Sequence, residues 1–278
     1  FWKMRVCILM KSSEKPNLQN IPQESEWAPR LRKSFEAEKG FSFVSFDYSQ
    51  LELRLLAHLT EDKKLIEAFH NNEDIHTLTA SQIFGIPKER VDAQMRRIGK
   101  TLNFGIIYGM GPRAFAETSG ISFEEADGFI KEYFRRFPSI KLWHEKIKAD
   151  ARTLGFVANE NGRRRWFFNI NSPNPRTKSE AERAAINMPT QSLEADIMKL
   201  GMIRTKEVLA NQGVWETKAC LLLSIHDELL FEISDDILKK IIPLLQRILV
   251  SVYALKVPLE IDTKIGKAWG GVEKYLTP

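Results

Sequence analysis

An α+β fold, with a mostly antiparallel sheet interrupted by a helical lobe, is what this sequence predicts, on three observations. The run FSFVSF from Phe41 to Phe46 is rich in aromatic and β-branched residues and reads as a buried strand. From about Thr60 to Ala185 the apolar residues switch to helical spacing. Then ACLLLSIHDELLFEI reads as two apolar strands joined at a tight turn holding His226, Asp227 and Glu228. The 278 residues, 43% of them apolar, suit one large domain or two modest ones with a real core.

After the first strand, LELRLLAHL takes up helical spacing, and Asp47 sits at the switch. Helices are expected over Asp74 to Phe84, Asp92 to Tyr108, Ser122 to Phe134 and Ile140 to Thr153. Gly85, Pro87, Gly111, Pro112 and Pro138 punctuate them. Beyond Asn161, GRRRWFFNINSPNPRTK carries the turn chemistry of an exposed loop. A helix from about Ser192 to Leu209 leads into the two strands, a further helix spans Asp235 to Ala254, and PLEIDTKIG adds a short strand. There is no internal repeat and no low-complexity tract. The boundaries predicted are a first sheet segment over 1–59, a helical insertion over 60–186 and a second sheet segment over 187–278.

Forty-one Lys and Arg against thirty-six Asp and Glu give a net charge of +5, a mild excess compatible with a polyanionic partner. Two cysteines, Cys7 and Cys220, cannot make a disulfide framework, and no Cys/His spacing suggests zinc. A reducing compartment and core-filling roles are expected for both. No apolar run reaches the roughly 20 residues of a membrane span, and the opening FWKMRVCILM lacks a cleavage-site pattern. A chain opening on Phe1 reads as a fragment of a longer one.

Arg96, Lys100, Phe104 and Tyr108 recur every fourth residue through RRIGKTLNFGIIYG. On a helix they form one slowly drifting stripe of about 18 Å, cationic at one end and aromatic at the other. That is the shape of a nucleoside triphosphate, although an amphipathic core helix with a solvated basic end accounts for this segment equally well. Asp47 closes a strand and Asp227 occupies a hairpin tip, so neighbouring strands of one sheet would bring the two acids together. Paired carboxylates resist ionising together, and divalent metal relieves that cost while organising phosphoryl displacement. Glu228 could add a third ligand. Taken singly, each Asp is also a favoured turn or cap residue. Gly99, Gly105, Gly109 and Gly111 lie in or just after the stripe, each costing about 1 kcal/mol of helix propensity relative to Ala. They suit either a helix that bends or close packing against a neighbour.

FDYSQLELRLLAHL (Phe46 to Leu59), RRIGKTLNFGIIYG (Arg96 to Gly109) and SIHDELLFE (Ser224 to Glu232) resemble, in order and spacing, the three polymerase motifs of the family A DNA polymerases, the bacterial DNA polymerase I group. PNLQNIP from Pro16, DIHTLTA from Asp74, GRRR from Gly162, NMPTQ from Asn187 and the IGKAW segment extend the likeness over nearly all the chain. The resemblance implies a palm over 1–59 and 187–278, helical fingers over 60–186, and thumb and exonuclease-like domains lying upstream. It implies template-directed DNA synthesis in replication or repair, with dNTPs and primer–template DNA as partners and two Mg²⁺ ions as cofactor. The setting implied is the bacterial cytoplasm and nucleoid, as a monomer forming part of a longer chain.

Residue by residue, the resemblance assigns the metals to Asp47, the Tyr48 carbonyl, Asp227 and Glu228, with Asp47, Asp227 and Lys100 catalytic. It assigns the nucleotide to Gln50, Glu52, His76, Arg96, Lys100, Phe104 and Tyr108. Arg96, Lys100 and His76 would hold phosphates, Phe104 and Tyr108 would flank base and sugar, and Glu52 would be the steric gate against a ribose 2′-hydroxyl. DNA would be met by Arg163, Arg164, Arg165, Arg183, Asn187, Gln191 and His226. The basic run with Trp166, Phe167 and Phe168 beside it suits a template strand and unstacked bases; a solvated charged face is the plainer reading.

Two positions depart from the family pattern. Met10 stands where a minor-groove arginine is expected, and Ser224 replaces a glutamine two residues before His226. Both shorten polar reach toward a primer terminus. Two other readings compete. A two-metal nuclease would share the acids but have no use for the stripe or gate, and a truncated fragment would bind DNA or dNTP with little activity.

Overall fold

The computed structural model describes Ile21 and residues 27–275. Helix α1 (Ala28–Lys33) precedes strand β1 (Phe41–Tyr48), and a helical series follows: α2 (Leu51–Thr60), α3 (Lys63–His70), α4 (Ile75–Phe84), α5 (Ala93–Ile107), α6 (Pro112–Ser119), α7 (Phe123–Arg136) and α8 (Pro138–Leu154). A hairpin of β2 (Phe156–Ala158) and β3 (Arg164–Trp166) leads to the long helix α9 (Pro175–Asn211). Strands β4 (Ala219–Ile225) and β5 (Glu228–Ser234), helix α10 (Leu238–Val250), and strands β6 (Ile261–Gly266) and β7 (Glu273–Lys274) complete it. The fold is α+β, and its residues fall into two compact units.

The first unit takes in the residues up to Ser49, Ile197–Ala254 and the chain from Leu259. Its sheet has the order β4-β5-β1-β6-β7, antiparallel throughout. Alternation along β1 sends Val44, Phe46 and Tyr48 to one face and Phe43, Ser45 and Asp47 to the other. On the first face Phe46 meets Phe231 edge-on at 5.6 Å, and the Tyr48 hydroxyl donates to the Leu249 carbonyl of α10 at 2.9 Å. Gly201 of α9 comes so close that a Cβ there would lie 3.0 Å from Leu249. Burying aromatic rings of this size contributes about 1.5–3 kcal/mol each. On the opposite face Phe43 packs with Leu230 and Trp269, and Asp47 lies further along the same row.

The second unit takes in Gln50–Asp196 and Leu255–Pro258. Its core joins Leu53, Leu56, Leu65, Ile75, Leu102, Phe115, Tyr133 and Phe137. Polar caps set the helix starts: Asp62 accepts from the Lys64 and Leu65 amides, Asp74 from His76 and Thr77, Asp92 from Met95, and Ser122 forms a capping box with Glu125. Helices α4 and α5 cross in near backbone contact. A Cβ on Gly99 would sit 2.6 Å from the His76 carbonyl oxygen, so this glycine is a packing requirement.

Several elements differ from the sequence expectation. The stretch after Asn161 is only partly loop: Arg164–Trp166 pairs with Phe156–Ala158, a strand too short to show alternation. Helix α9 starts at Pro175, well ahead of Ser192, because Asn174 caps it, accepting from the Arg176 amide at 2.9 Å and the Thr177 amide at 3.3 Å. It runs through Pro189, where buried Ile186, Met188, Thr190 and Leu193 hold it to its neighbours despite the lost hydrogen bond. Helix α10 is shorter at both ends than the span Asp235 to Ala254. Cys220 is half-buried on β4. Cys7, Met10 and all of PNLQNIP but Ile21 lie outside the described residues.

Candidate active site

In the first unit the register makes a row of acids. Asp47 stands directly across from Glu228 on β5 and from Asp262 on β6, so the three carboxylates share a face. The loop between β4 and β5 is two residues, His226 and Asp227. His226 adopts φ +51°, a conformation such hairpins ordinarily give to Gly, Asn or Asp, and strain of this sort is retained where a side chain must be aimed. The Tyr48 amide donates to the Asp227 carbonyl at 3.1 Å, which pins the hairpin tip to the end of β1.

The electrostatics follow from the crowding. Burial, then Asp227 and Glu228, push the Asp47 carboxyl up to about 6, with Lys264 opposing them. Burial likewise raises Asp227, against the pull of its own amide and of His226. Lys264 reaches Asp47 with its ammonium 3.9 Å from Oδ2, and Lys274 holds Asp262 at 3.6 Å. Glu228 Oε1 accepts from the Ser45 hydroxyl at 2.5 Å, and Arg32, stacked 4.4 Å over the Trp269 ring, is close enough to feel the Glu228 charge. A half-buried set of carboxylate oxygens crowding Asp47 toward protonation is the donor chemistry that suits a hard divalent cation such as Mg²⁺. Among the described residues, no group of three or more His, Cys, Asp or Glu is gathered closely enough to hold a metal on its own.

The second unit carries the stripe. Arg96, Lys100 and Phe104 lie on α5, and Tyr108 is its C-cap. Arg96 Nε donates to Asp74 Oδ2 at 2.6 Å, and although burial opposes it, this bond with those from Thr77 holds Asp74 below its ordinary range. His76 is buried, and burial, with Arg96 and Lys100 nearby, lowers it to about 4 against the pull of Asp74. Thr79 donates to Asn103 Oδ1 at 2.9 Å, which aims the Asn103 amide at His76 Nδ1, 3.2 Å away. The histidine is therefore neutral near pH 7 and carries its proton on Nε2. Its ring lies 5.8 Å from that of Phe104. The exposed Tyr108 hydroxyl donates to the Glu52 carboxylate of α2.

Gln50 takes the left-handed conformation at φ +52° as N-cap of α2. Its Oε1 and the Oδ1 of Asn187 are buried side-chain oxygens with no hydrogen-bond partner among the described residues, the condition of groups awaiting a ligand or water. Of the basic run, Arg163 is engaged: its guanidinium grips Asp196 of α9, with Nε 3.1 Å from Oδ1, while Asn159 and Asn161 donate to Oδ2. Arg164 stacks at 4.7 Å on Phe156 and Arg165 at 5.3 Å on Phe167, leaving Trp166 and Phe168 exposed. Arg183 donates to Ser179 at 2.8 Å one turn back on α9, and Gln191 is exposed on the same helix. Ser224, half-buried on β4, stands opposite Leu229.

Sequence reasoning passed over Asp262, Lys264, Asn103 and Asp196. The first two were findable, since Asp262 and Lys264 are two apart on a strand and so share a face. The roles of Asn103 and Asp196 depend on helix crossings that sequence spacing does not encode.

The family model described as DNA polymerase family A matches residues 10–271. The thermostable DNA polymerase I of Thermus aquaticus is 43% identical over 258 residues, covering 93% of this chain and 30% of the relative. DNA polymerase I of Pseudomonas aeruginosa is 38% identical over 258 residues, covering 93% and 28%. Among solved structures, the POL domain of Pol1 from M. smegmatis, in complex with DNA primer-template and dNTP, superposes with a TM-score of 0.88 at 37% identity, covering 94% of this chain and 46% of that one. The chain thus spans less than a third of the length of these curated relatives.

Proposed function

The chain belongs to the family A DNA polymerases, and from that premise we propose that it carries out template-directed DNA synthesis, adding dNTPs to a primer 3′-hydroxyl. The observation that carries the proposal is the row formed by Asp47 and Glu228 with Asp227 pinned beside it. Asp47, Asp227, the Tyr48 carbonyl and Glu228 are the groups that would hold two Mg²⁺ ions. Those ions, when bound, would acidify the attacking hydroxyl and offset charge on the triphosphate.

The chain's own side chains bind and orient. Arg96 and Lys100 supply fixed positive charge for the phosphates, and Lys100 stabilises the charge that grows on the leaving pyrophosphate. Neutral His76 donates one hydrogen bond from Nε2. Phe104 and Tyr108 offer the nucleoside two aromatic surfaces. Glu52, held by the Tyr108 hydroxyl, keeps a bulky carboxylate where a ribose 2′-hydroxyl would have to fit, and Gln50 offers an unsatisfied amide oxygen. Arg164, Arg165, Arg183, Asn187, Gln191 and His226 would meet DNA through backbone and minor groove, because a template-reading enzyme leaves sequence to base pairing. Arg163 would act there mainly by fixing the hairpin through Asp196. Residues 60–186 would serve as fingers and 1–59 with 187–278 as palm. Primer–template DNA and dNTPs would be the partners, with the bacterial nucleoid as setting. No helix among the described residues is long and apolar enough to cross a membrane.

A labelled primer on a template, with Mg²⁺ and four dNTPs, tests the reading. A polymerase lengthens the primer. Shortening would mark a nuclease, and a mobility shift without extension would mark a binding fragment; either result overturns the proposal.

A further inference from the structure

Lys264 stands among the acids of the first unit with no role assigned so far. It lies on β6 opposite Ser45, two residues from Asp262 and on the same face as Asp47. Its ammonium approaches Asp47 Oδ2 at 3.9 Å and has no other side-chain partner among the described residues. The next strand repeats the arrangement: Lys274, directly across from Lys264, holds Asp262. Across β1, β6 and β7, then, acid faces acid and lysine faces lysine, and each ion pair runs diagonally from a lysine to an acid on the preceding strand. Among the described residues, Lys264 is the cation that pairs with Asp47.

A positive side chain here acts twice against an incoming divalent ion. It offsets the Asp47 charge that the ion would use, and it repels the ion directly. We infer that Lys264 is a resident counter-ion of the acid row, lowering its affinity for divalent metal in the nucleotide-free protein. The inference rests on the metal reading of Asp47 and Asp227. Its consequence is coupling: metal binds weakly until a polyanion arrives. A triphosphate, bringing negative charge of its own, then draws the lysine off Asp47 and completes the donor set, so ion and nucleotide recruit one another.

The test is titration of the 278-residue chain with Mn²⁺ alone, reading free Mn²⁺ by electron paramagnetic resonance at low ionic strength. Lys264→Gln should bind Mn²⁺ about three- to tenfold more tightly than wild type, with the gain shrinking as salt screens the charge. Lys264→Arg, which keeps the charge, should stay near wild type, and Lys274→Gln should give a smaller gain. Unchanged or weaker binding by Lys264→Gln, while Asp47→Asn and Asp227→Asn still abolish Mn²⁺ binding, overturns the counter-ion role alone. Mn²⁺ binding indifferent to both Asp substitutions overturns the metal reading and the inference with it.

Discussion

The amide of Tyr48 donates to the carbonyl of Asp227 at 3.1 Å, so the end of β1 and the tip of the β4–β5 hairpin are joined through main chain. The carboxylates of Asp47 and Asp227 contribute nothing to that join. In the metal-free protein they oppose it, since burial raises both above the ordinary carboxylate range and the charges of Asp227 and Glu228 raise Asp47 further.

Asp47→Asn should therefore fold and be more stable than wild type without metal. A carboxyl raised to about 6 when folded favours the folded state fully only below its unfolded value, and that contribution is lost as pH rises through about 6. The advantage of Asn should grow from pH 4 to 6 and then level off, at roughly 1 kcal/mol after allowance for solvent screening. Urea unfolding with a chelator present measures it, and saturating Mg²⁺ should reverse the order.

Glu52 and Tyr108 are joined by a hydrogen bond from hydroxyl to carboxylate. Glu52→Ala should relax discrimination against ribonucleotides by about 100-fold or more in kcat/KM, a loss on the scale of about 2.7 kcal/mol. Tyr108→Phe keeps the ring and removes its hydrogen bond to the carboxylate, and should give a smaller loss of discrimination. Single-nucleotide insertion of dNTP against rNTP measures both, and equal discrimination by Glu52→Ala and wild type would remove Glu52 from the gate.

Gly99 and Gly128 are both helical, and they separate packing from propensity. A Cβ at Gly99 would meet the His76 carbonyl at 2.6 Å, whereas one at Gly128 of α7 meets nothing within 4 Å. Gly99→Ala should destabilise by about 1–3 kcal/mol and disturb His76. Gly128→Ala should stabilise by up to about 1 kcal/mol. Chemical denaturation of the two variants side by side checks the pair, and a stable Gly99→Ala would show that the helices can part cheaply.

His144 is buried against Phe134 and Trp143, and its Nε2 has no hydrogen-bond partner among the described residues. Burial lowers it from 6.5 to about 4. The unfolded chain takes up a proton on this histidine first, so stability is full above about 6.5 and falls as pH drops toward 4. His144→Phe should remove about 1.4 kcal/mol per pH unit of that slope. Unfolding free energies of the two proteins at pH 7, 6 and 5 give the comparison, and parallel curves would place His144 in water.

How far the sequence could be read follows the reach of each signal. β1 and the hairpin carrying His226 and Asp227 are local apolar runs, the α5 stripe is a local pattern of period near four, and each appears where its signal lies. The reading of the glycines split: Gly99 serves a crossing with α4 that no local pattern announces. Pro175 falls in the stretch expected as loop, yet Asn174 caps a helix there, and that helix runs on through Pro189 among buried neighbours. Within the candidate site, residue types were legible and partners were not. Arg163 was legible as a candidate DNA contact, whereas its partner Asp196, 33 residues on, was not.

DNA synthesis dependent on the acid pair is measured by single-turnover incorporation of one correct dNTP on a primer–template with Mg²⁺, comparing the chain with its Asp47→Asn and Asp227→Asn variants. Wild type should give measurable incorporation and each variant a fall of about 1,000-fold or more, with unfolding curves showing both folded. Incorporation by either variant within a few-fold of wild type would contradict that dependence.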